Sequence, residues 1–425
     1  MRDQQRTIEV FAHWKGLPNP AKLGTLFATP SRGKEIFSFE YDDNWLKQGF
    51  AQRLDPSLGL YGGRQYAPEG QSNFGAFLDS SPDRWGRLLM RRREAQLARV
   101  QSRPEQALWE SDYLLGVYDG HRPGALRFRF PPDGPFLDNT KELASPPWAR
   151  LRDLEHASLQ LEREDAETDH EYSNWLRLLL VPGASLGGAR PKASVLDEQG
   201  SLWIAKFPSR LDEFDVGAWE HLVNNLADKA GIEITPSQCR TFSVKRHTFL
   251  SRRFDRTVAG ERIHFASAMT LLQRNDGDDA TVGASYLELA EFVMQQGARP
   301  ERDLEQLWRR IVFFMCVSNT DDHLRNHGFL LTSTGWNLSP VYDVNPAPHS
   351  PDGLKLNVSE TDNSQDLELA RSVAKYFRIK PARAEEILLE VIEAVRTWRQ
   401  EAKKLQIPDA ETERMARAFR LIEKP

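Results

Sequence analysis

The pattern of apolar and polar positions changes character along this chain. Residues 7–13 (TIEVFAH), 22–28 (KLGTLFA) and 35–41 (EIFSFEY) alternate β-branched and aromatic residues with polar ones. Gly, Pro and Asn punctuate them, which predicts a small N-terminal sheet. From Phe74 to Val100 the spacing turns helical, with Pro82 suited to a first turn and Trp85, Leu88, Leu89 and Leu97 as apolar positions. Residues 125–130 (ALRFRF) read as a closing strand, and the Pro-, Asp- and Ser-rich stretch 131–150 reads as a boundary. Residues 151–180 are helical and charged, and residues 183–255 read as strands with one helix over 216–230. Beyond Asp279 the pattern is mostly helical apart from a strand pair around Phe329 and Trp336, and the segment after Gln365 predicts a final bundle.

Composition narrows the class. The 425 residues carry 56 Lys+Arg against 61 Asp+Glu, a net charge of -5, with 40% hydrophobic and 28% charged residues. That is a globular composition with length for two or three domains. A slightly acidic balance argues against a whole-surface nucleic-acid binder. The run Arg84, Arg87, Arg91, Arg92, Arg93 reads first as a solvated helix face, and second as a patch for DNA or an acidic partner. Two cysteines, Cys239 and Cys316, exclude a disulfide framework and fit a reducing compartment. The N-terminus lacks the build of a signal peptide, and the most apolar stretch, 311–317, falls far short of the ~18 residues of a membrane span. The expectation is a cytoplasmic chain with no membrane association.

The chemistry concentrates late in the sequence. In Asp321-Asp322-His323-Leu324-Arg325-Asn326, an Asp precedes an Asn by five positions, the spacing of a protein-kinase catalytic loop. There the Asp takes or orients the substrate hydroxyl proton and the Asn holds Mg²⁺. Two short apolar runs around a Thr-Ser-Thr-Gly turn follow, and then Tyr342-Asp343. A loop, a hairpin and a second carboxylate bring two oxygen ligands, Asn326 and Asp343, toward one hard cation. Taken singly, Asp321 fits a solvated acidic loop equally well; the ordered set of three is more specific. Upstream, Gly183 to Lys192 is a glycine-rich candidate phosphate cradle in which Ser185 adds a hydroxyl, though it is neither a Walker A loop nor G-x-G-x-x-G. Lys206 sits in an apolar strand (LWIAKF), where nucleotide phosphates would partner it and Glu220 would hold it. Residues 249–254 (FLSRRF) resemble a connector whose backbone pairs an adenine edge. His323 and His327 lack the spacing of a zinc site.

The ordered set SLGGARPKA, WIAKFPS, LSRRFDR, NTDDHLRNHGF and SPVYDVNP resembles the HipA family of serine/threonine kinases, the toxin halves of type II toxin–antitoxin pairs. LGTLFATPSRGKEIFSFEYDDNWL and SSPDRWGRLL extend the likeness to the small N-terminal subdomain of full-length members. The resemblance implies an α/β (α+β), two-lobed protein-kinase-like fold with a small sheet-and-helix subdomain and a mostly helical C-terminal lobe. Its divisions would be 1–130 for the N-terminal subdomain, 131–255 for linker and nucleotide-binding lobe, and 256–425 for the helical lobe with the catalytic loop. It implies Asp321 as catalytic base, Asn326 and Asp343 as Mg²⁺ ligands, and Lys206 on the phosphates of ATP. Gly187, Gly188, Ala189, Arg190, Pro191 and Lys192 would form the loop beside them. Arg252, Arg253 and Phe254 would contact adenine, and His323 and Tyr342 would flank the site. Ser185 matches a loop serine that is autophosphorylated in the family, with about -1.5 to -2 added charges repelling nucleotide phosphates. The family pairs with a helix-turn-helix antitoxin (HipB-like) and through it operator DNA. Its protein substrates belong to the translation machinery, aminoacyl-tRNA synthetases in particular. Two departures stand out: Asp322 where a small residue is expected, and Arg190-Pro191 in place of polar loop residues.

Two other readings compete. A small-molecule kinase of the aminoglycoside or choline type uses a comparable Asp-to-Asn loop, but the N-terminal sheet domain speaks against it. A binding-only corepressor acting with a DNA-binding antitoxin is compatible with the family, although no helix-turn-helix is evident in this chain.

Overall fold

The structure is a computed structural model that describes residues 4–48, 52–137, 146–183, 188–349 and 353–423. Backbone contacts divide the chain into two compact units, Met1–Leu211 with Arg252–Ala266, and Asp212–Ser251 with Ser267–Pro425.

The first unit is built on an antiparallel sheet of five strands, β1 (Arg6–Ala12), β2 (Ala21–Ser31), β3 (Lys34–Tyr41), β4 (Gln65–Tyr66) and β5 (Leu126–Arg129), in the order β4-β3-β2-β1-β5. Each of the strand expectations 7–13, 22–28, 35–41 and 125–130 overlaps an observed strand. Ile8, Val10 and Ala12 of β1 are fully buried, as alternation on a covered sheet requires. Between them Glu9 is also nearly buried, and it is satisfied from both neighbouring strands, by Lys22 at 2.8 Å and Arg129 at 2.7 Å.

The helical stretch expected over 74–100 is two helices, Gly75–Leu78 and Arg84–Val100. Ser80 and Ser81 turn their hydroxyls back to the Ala76 and Phe77 carbonyls, and Pro82 has no N–H to continue the ladder. Pro82 therefore precedes the new helix and its N-cap, Asp83, instead of lying in the first turn. The stretch 151–180 likewise splits into Leu151–Leu161 and Tyr172–Gly183, with Arg163 pinning the intervening turn through Asp165 (2.7 Å) and Asp169 (3.2 Å). The hairpin Lys192–Leu196/Leu202–Lys206 is tied to the long helix by Trp85 Nε1, which donates to the Lys192 carbonyl at 3.1 Å.

Within this unit the returning segment 252–266 is fastened by charge. Arg253 donates to Asp255 at 2.6 Å and to the His121 carbonyl at 2.6 Å, and Arg256 reaches Asp255 at 2.8 Å and the Arg122 carbonyl at 2.9 Å. Arg262 and Arg127 share Asp119. Arg122, completely buried, donates through its two terminal nitrogens to the carbonyls of Ser80, Leu114 and Val117. Burial alone would raise the Asp255 carboxyl, but its two arginines hold it well below the carboxylate range.

The second unit is predominantly helical. The helix Pro300–Val317 has Pro at its start, Glu301 and Asp303 in its first turn, and an unbroken buried run from Leu307 to Val317. It is the apolar scaffold that leads into the Asp-to-Asn loop. Around it lie Val216–Lys229, Tyr286–Gln296, Pro381–Arg396 and the later C-terminal helices, where Trp398 stacks on Phe419 with ring centroids 4.3 Å apart. The predicted strand pair is the hairpin Gly328–Thr332/Gly335–Leu338. Two buried side chains of the scaffold helix hold that hairpin. Arg310 donates to the Ser339 carbonyl at 2.6 Å, and Asp303 accepts from the Leu338 amide at 3.0 Å. Burial pulls Arg310 down to about 10 and raises the Asp303 carboxyl.

Candidate active site

The scaffold helix ends at Ser318, which takes a left-handed conformation (φ 49°) and turns the chain into residues 319–327. This turn delivers the Asp-to-Asn loop. His323 N and Asn326 Nδ2 both donate to the Asp321 carbonyl, at 3.0 and 3.2 Å, and Asn326 N donates to the His323 carbonyl at 2.8 Å. The Asp321 side chain is exposed, whereas Asn326 is 7% exposed. With its amide nitrogen committed to Asp321, Asn326 keeps Oδ1 as its remaining acceptor, the atom a metal ligand needs.

The Tyr342-Asp343 segment is tied to the same loop. Tyr342 donates its hydroxyl to the Arg325 carbonyl at 2.6 Å, one residue before Asn326. Asp343 has φ 58°, a left-handed conformation that Asp tolerates better than most residues. Asn345 Nδ2 approaches Asp343 Oδ1 at 3.5 Å, and Asn345 N donates to Asn319 Oδ1 at 3.1 Å, which closes the circuit to the end of the scaffold helix. Asp321, His323, Asn326, Tyr342 and Asp343 are thus brought into one cross-tied group of loops.

Asn319 Nδ2, His323 Nδ1 and Asn345 Oδ1 are among the buried atoms of this group that have no hydrogen-bond partner among the described residues. Buried atoms of this kind call for an explanation, and a ligand that completes their hydrogen bonding is one. No group of three or more His, Cys, Asp or Glu among the described residues makes an all-protein metal cage. Mg²⁺ does not require one, because it takes one or two carboxylates together with substrate phosphates and water. An amide oxygen from Asn326 and a carboxylate from Asp343 are hard donors that suit it.

Sequence reading passed over three members of this site. Asp322, Tyr286 and His327 form a buried cluster directly behind the loop: the Tyr286 hydroxyl and His327 Nε2 both lie 2.7 Å from Asp322 Oδ2. Asp322 was legible only as a departure from the family pattern and His327 only as half of a rejected zinc pair. Tyr286, 36 residues upstream, carried no signal.

The nucleotide-side candidates lie in the first unit. Lys192 and Lys206 face each other across the hairpin; Lys192 is 2% exposed and Lys206 half-buried. Gly188 has φ 97°, followed by exposed Ala189, half-buried Arg190 and buried Pro191. Arg252 and Phe254 are half-buried, while Arg253 is buried, its guanidinium being committed to Asp255 and His121. Ser185 and Gly187 lie outside the described residues. Glu220 is buried on the helix Val216–Lys229 of the second unit.

Among the described residues no helix is long and apolar enough to cross a membrane. A Haemophilus influenzae protein named "Putative kinase" is 26% identical over 189 residues, covering 39% of this chain and 54% of that protein. The chain therefore spans about half the length of the curated relative it matches. Among solved structures, HipA of Shewanella oneidensis MR-1, in a complex with HipB and operator DNA, aligns with a TM-score of 0.65 at 16% identity, over 98% of this chain and 96% of that one. At that identity the likeness is one of fold, the mixed, protein-kinase-like α+β architecture. Residues 184–399, just over half of the sequence and the whole of the Asp-to-Asn loop, match the model of the HipA-like C-terminal domain, and the chain belongs to the HipA family.

Proposed function

We propose that this chain is an ATP-dependent serine/threonine protein kinase, a HipA-like toxin that transfers the γ-phosphoryl group to a protein hydroxyl. The observation that carries the reading is the loop geometry: Asn326 turned by its bond to the Asp321 carbonyl, with Tyr342 and Asp343 tied to the same loop. In this reading the exposed Asp321 carboxylate orients and accepts the substrate hydroxyl proton. Asn326 Oδ1 and Asp343 hold Mg²⁺, which when bound neutralises charge on the phosphates. Lys206, with Lys192 and the 187–191 segment, steadies the phosphates, and the backbone of 252–254 meets the adenine edge. The side chain of Arg253 is already spent on the protein interior. His323 and Tyr342 flank the site, and Ser185 is the site of self-phosphorylation that silences it. Catalysis is positioning and charge neutralisation more than covalent chemistry.

The proposed partner is a HipB-like helix-turn-helix antitoxin, and through it operator DNA, in keeping with the complex formed by the Shewanella HipA. The proposed substrates are proteins of the cytoplasmic translation machinery, aminoacyl-tRNA synthetases first. Incubation of the purified chain with γ-labelled Mg·ATP and candidate acceptors is the test. Label on protein that disappears in Asp321→Asn supports the reading. Label carried only by small metabolites, or self-phosphorylation undiminished in Asp321→Asn, would overturn it.

A further inference from the structure

Asp321 and Asn326 are each followed by a buried anchor. Asp322 is 1% exposed and His327 is fully buried. The two side chains meet beneath the loop, His327 Nε2 lying 2.7 Å from Asp322 Oδ2. The anchors repeat the five-residue spacing of the chemistry one position later. Their bond therefore joins the two ends of the segment that presents the proposed base and the proposed metal ligand.

The bond is embedded. Tyr286, at the start of the helix Tyr286–Gln296, is fully buried and donates its hydroxyl to the same Asp322 oxygen at 2.7 Å. Its ring stands edge-on to the His327 imidazole, with centroids 5.7 Å apart at 86°, and Phe314 of the scaffold helix closes another side at 6.3 Å. A carboxylate offers only acceptors, so His327 carries a proton on Nε2. His327 Nδ1 then points into the packing without a partner among the described residues. The backbone on either side is held as well: Ala268 N donates to the His327 carbonyl at 2.8 Å, and the hairpin begins at Gly328.

From this arrangement we infer that Asp322, His327 and Tyr286 are positioning residues for the proposed phosphoryl transfer. They form a buried clasp that fixes the separation and direction of Asp321 and Asn326, and the inference rests on the kinase reading of that loop. The outward direction of Asp321 follows from local geometry. In a short non-helical segment, adjacent side chains leave the backbone on different sides, so drawing Asp322 inward leaves Asp321 toward solvent. The single Asp322 carboxylate takes charge-assisted bonds from the far end of its own loop and from a helix 36 residues upstream, which makes the loop over-determined. A site that works by positioning is sensitive to displacements of about 1 Å, so loosening the clasp should slow the chemical step more than it weakens nucleotide binding. The clasp also accounts for the acidic residue at 322, where the family resemblance leads one to expect a small side chain. The second carboxylate of the Asp-Asp pair belongs to the scaffold and not to the reaction.

The test uses the full chain with His327→Phe, which keeps an aromatic ring and removes the donor, and His327→Gln, whose amide can still reach Asp322. Asp322→Asn and Tyr286→Phe are the paired conservative variants. Two readouts are needed: hydrogen exchange of the 321–327 amides without nucleotide, and kcat and KM for Mg·ATP. The expected result for His327→Phe is loop exchange at least tenfold faster. Its kcat should fall about ten- to a hundred-fold, the span of one hydrogen bond to a charged group, with KM changed less than about threefold. His327→Gln and Asp322→Asn should recover most of both. Unchanged loop exchange, or unchanged kcat, in His327→Phe would overturn the clasp. So would an equal loss in His327→Gln, because that pattern marks a packing requirement. If wild-type protein transferred no phosphate, or did so independently of Asp321, the kinase reading would fall and the positioning role with it. A wild-type activity that needs Asp321 but ignores residue 327 removes the clasp alone.

Discussion

Each unit of this protein buries a polar cluster, and the two differ in what they leave over. In the first unit, Arg122, Arg253 and Arg256 spend their donors on backbone carbonyls, and Asp119 and Asp255 offset part of the charge. Such a network fixes the segment 252–266 to the loop around 119–124, although Arg262 Nη1 is buried in it with no hydrogen-bond partner among the described residues. In the second unit, Asp322, His327 and Tyr286 likewise bond to one another. Above them the Asp321 carboxylate stays exposed and Asn326 keeps an acceptor. Both units bury polar atoms that have no hydrogen-bond partner among the described residues, so what sets the second cluster apart is the exposed carboxylate and the open amide acceptor that it carries.

Substitutions on either side sharpen this contrast. Asp321→Asn should lower phosphoryl transfer about a thousand-fold, or ~4 kcal/mol, within the range of a lost general base. Its thermal midpoint should stay near wild type, because an exposed carboxylate contributes little to folding. Asp255→Asn should do the opposite, destabilising the fold by roughly 3 kcal/mol in denaturant titration by leaving Arg253 and Arg256 with an uncompensated buried charge. A large drop in activity from Asp255→Asn under fully folded conditions would contradict the separation of roles.

Acidification supplies a third probe. Burial holds the His264 imidazole of the first unit down to about 3, against 6.5 for an ordinary histidine. The unfolded chain takes a proton that the folded chain refuses. This contribution is therefore complete above pH 6.5 and is lost as pH falls from there toward 3, about 2 kcal/mol between pH 7 and pH 5. Replacing His264 with Phe should flatten that part of the stability profile. The smallest effect expected is in the second unit, where Ser285 caps the helix carrying Tyr286 in a reciprocal box with Glu288. Ser285→Ala should cost about 1 kcal/mol of thermal stability.

How far the site could be read from sequence depended on the range of the interactions involved. Asp321, Asn326 and Asp343 were visible as a local order, an Asp, an Asn five positions on and a carboxylate after a short hairpin. Four of the five strands of the first sheet were visible because alternation is a period-two signal, and the two-residue strand Gln65–Tyr66 is too short to carry one. The helix expected to begin at Pro82 begins two positions later, at Arg84, because the Ser80 and Ser81 hydroxyls bond back to the Ala76 and Phe77 carbonyls at the end of the preceding helix and Asp83 takes the N-cap place. Tyr286 left no trace, since its contact with Asp322 spans two elements that no periodicity connects.

The order of side chains alone determined the kinase-like loop, the N-terminal sheet and the apolar scaffold helix, because each is encoded by spacing within a few turns or strands. Only the tertiary structure decided that Asp322 turns inward to His327 and Tyr286 while Asp321 faces out, and that Arg253 is consumed by the interior. The physical reason is common to both. A carboxylate or guanidinium looks the same in sequence whether it will be solvated or buried, and its fate is set by the partners that folding brings within hydrogen-bonding distance.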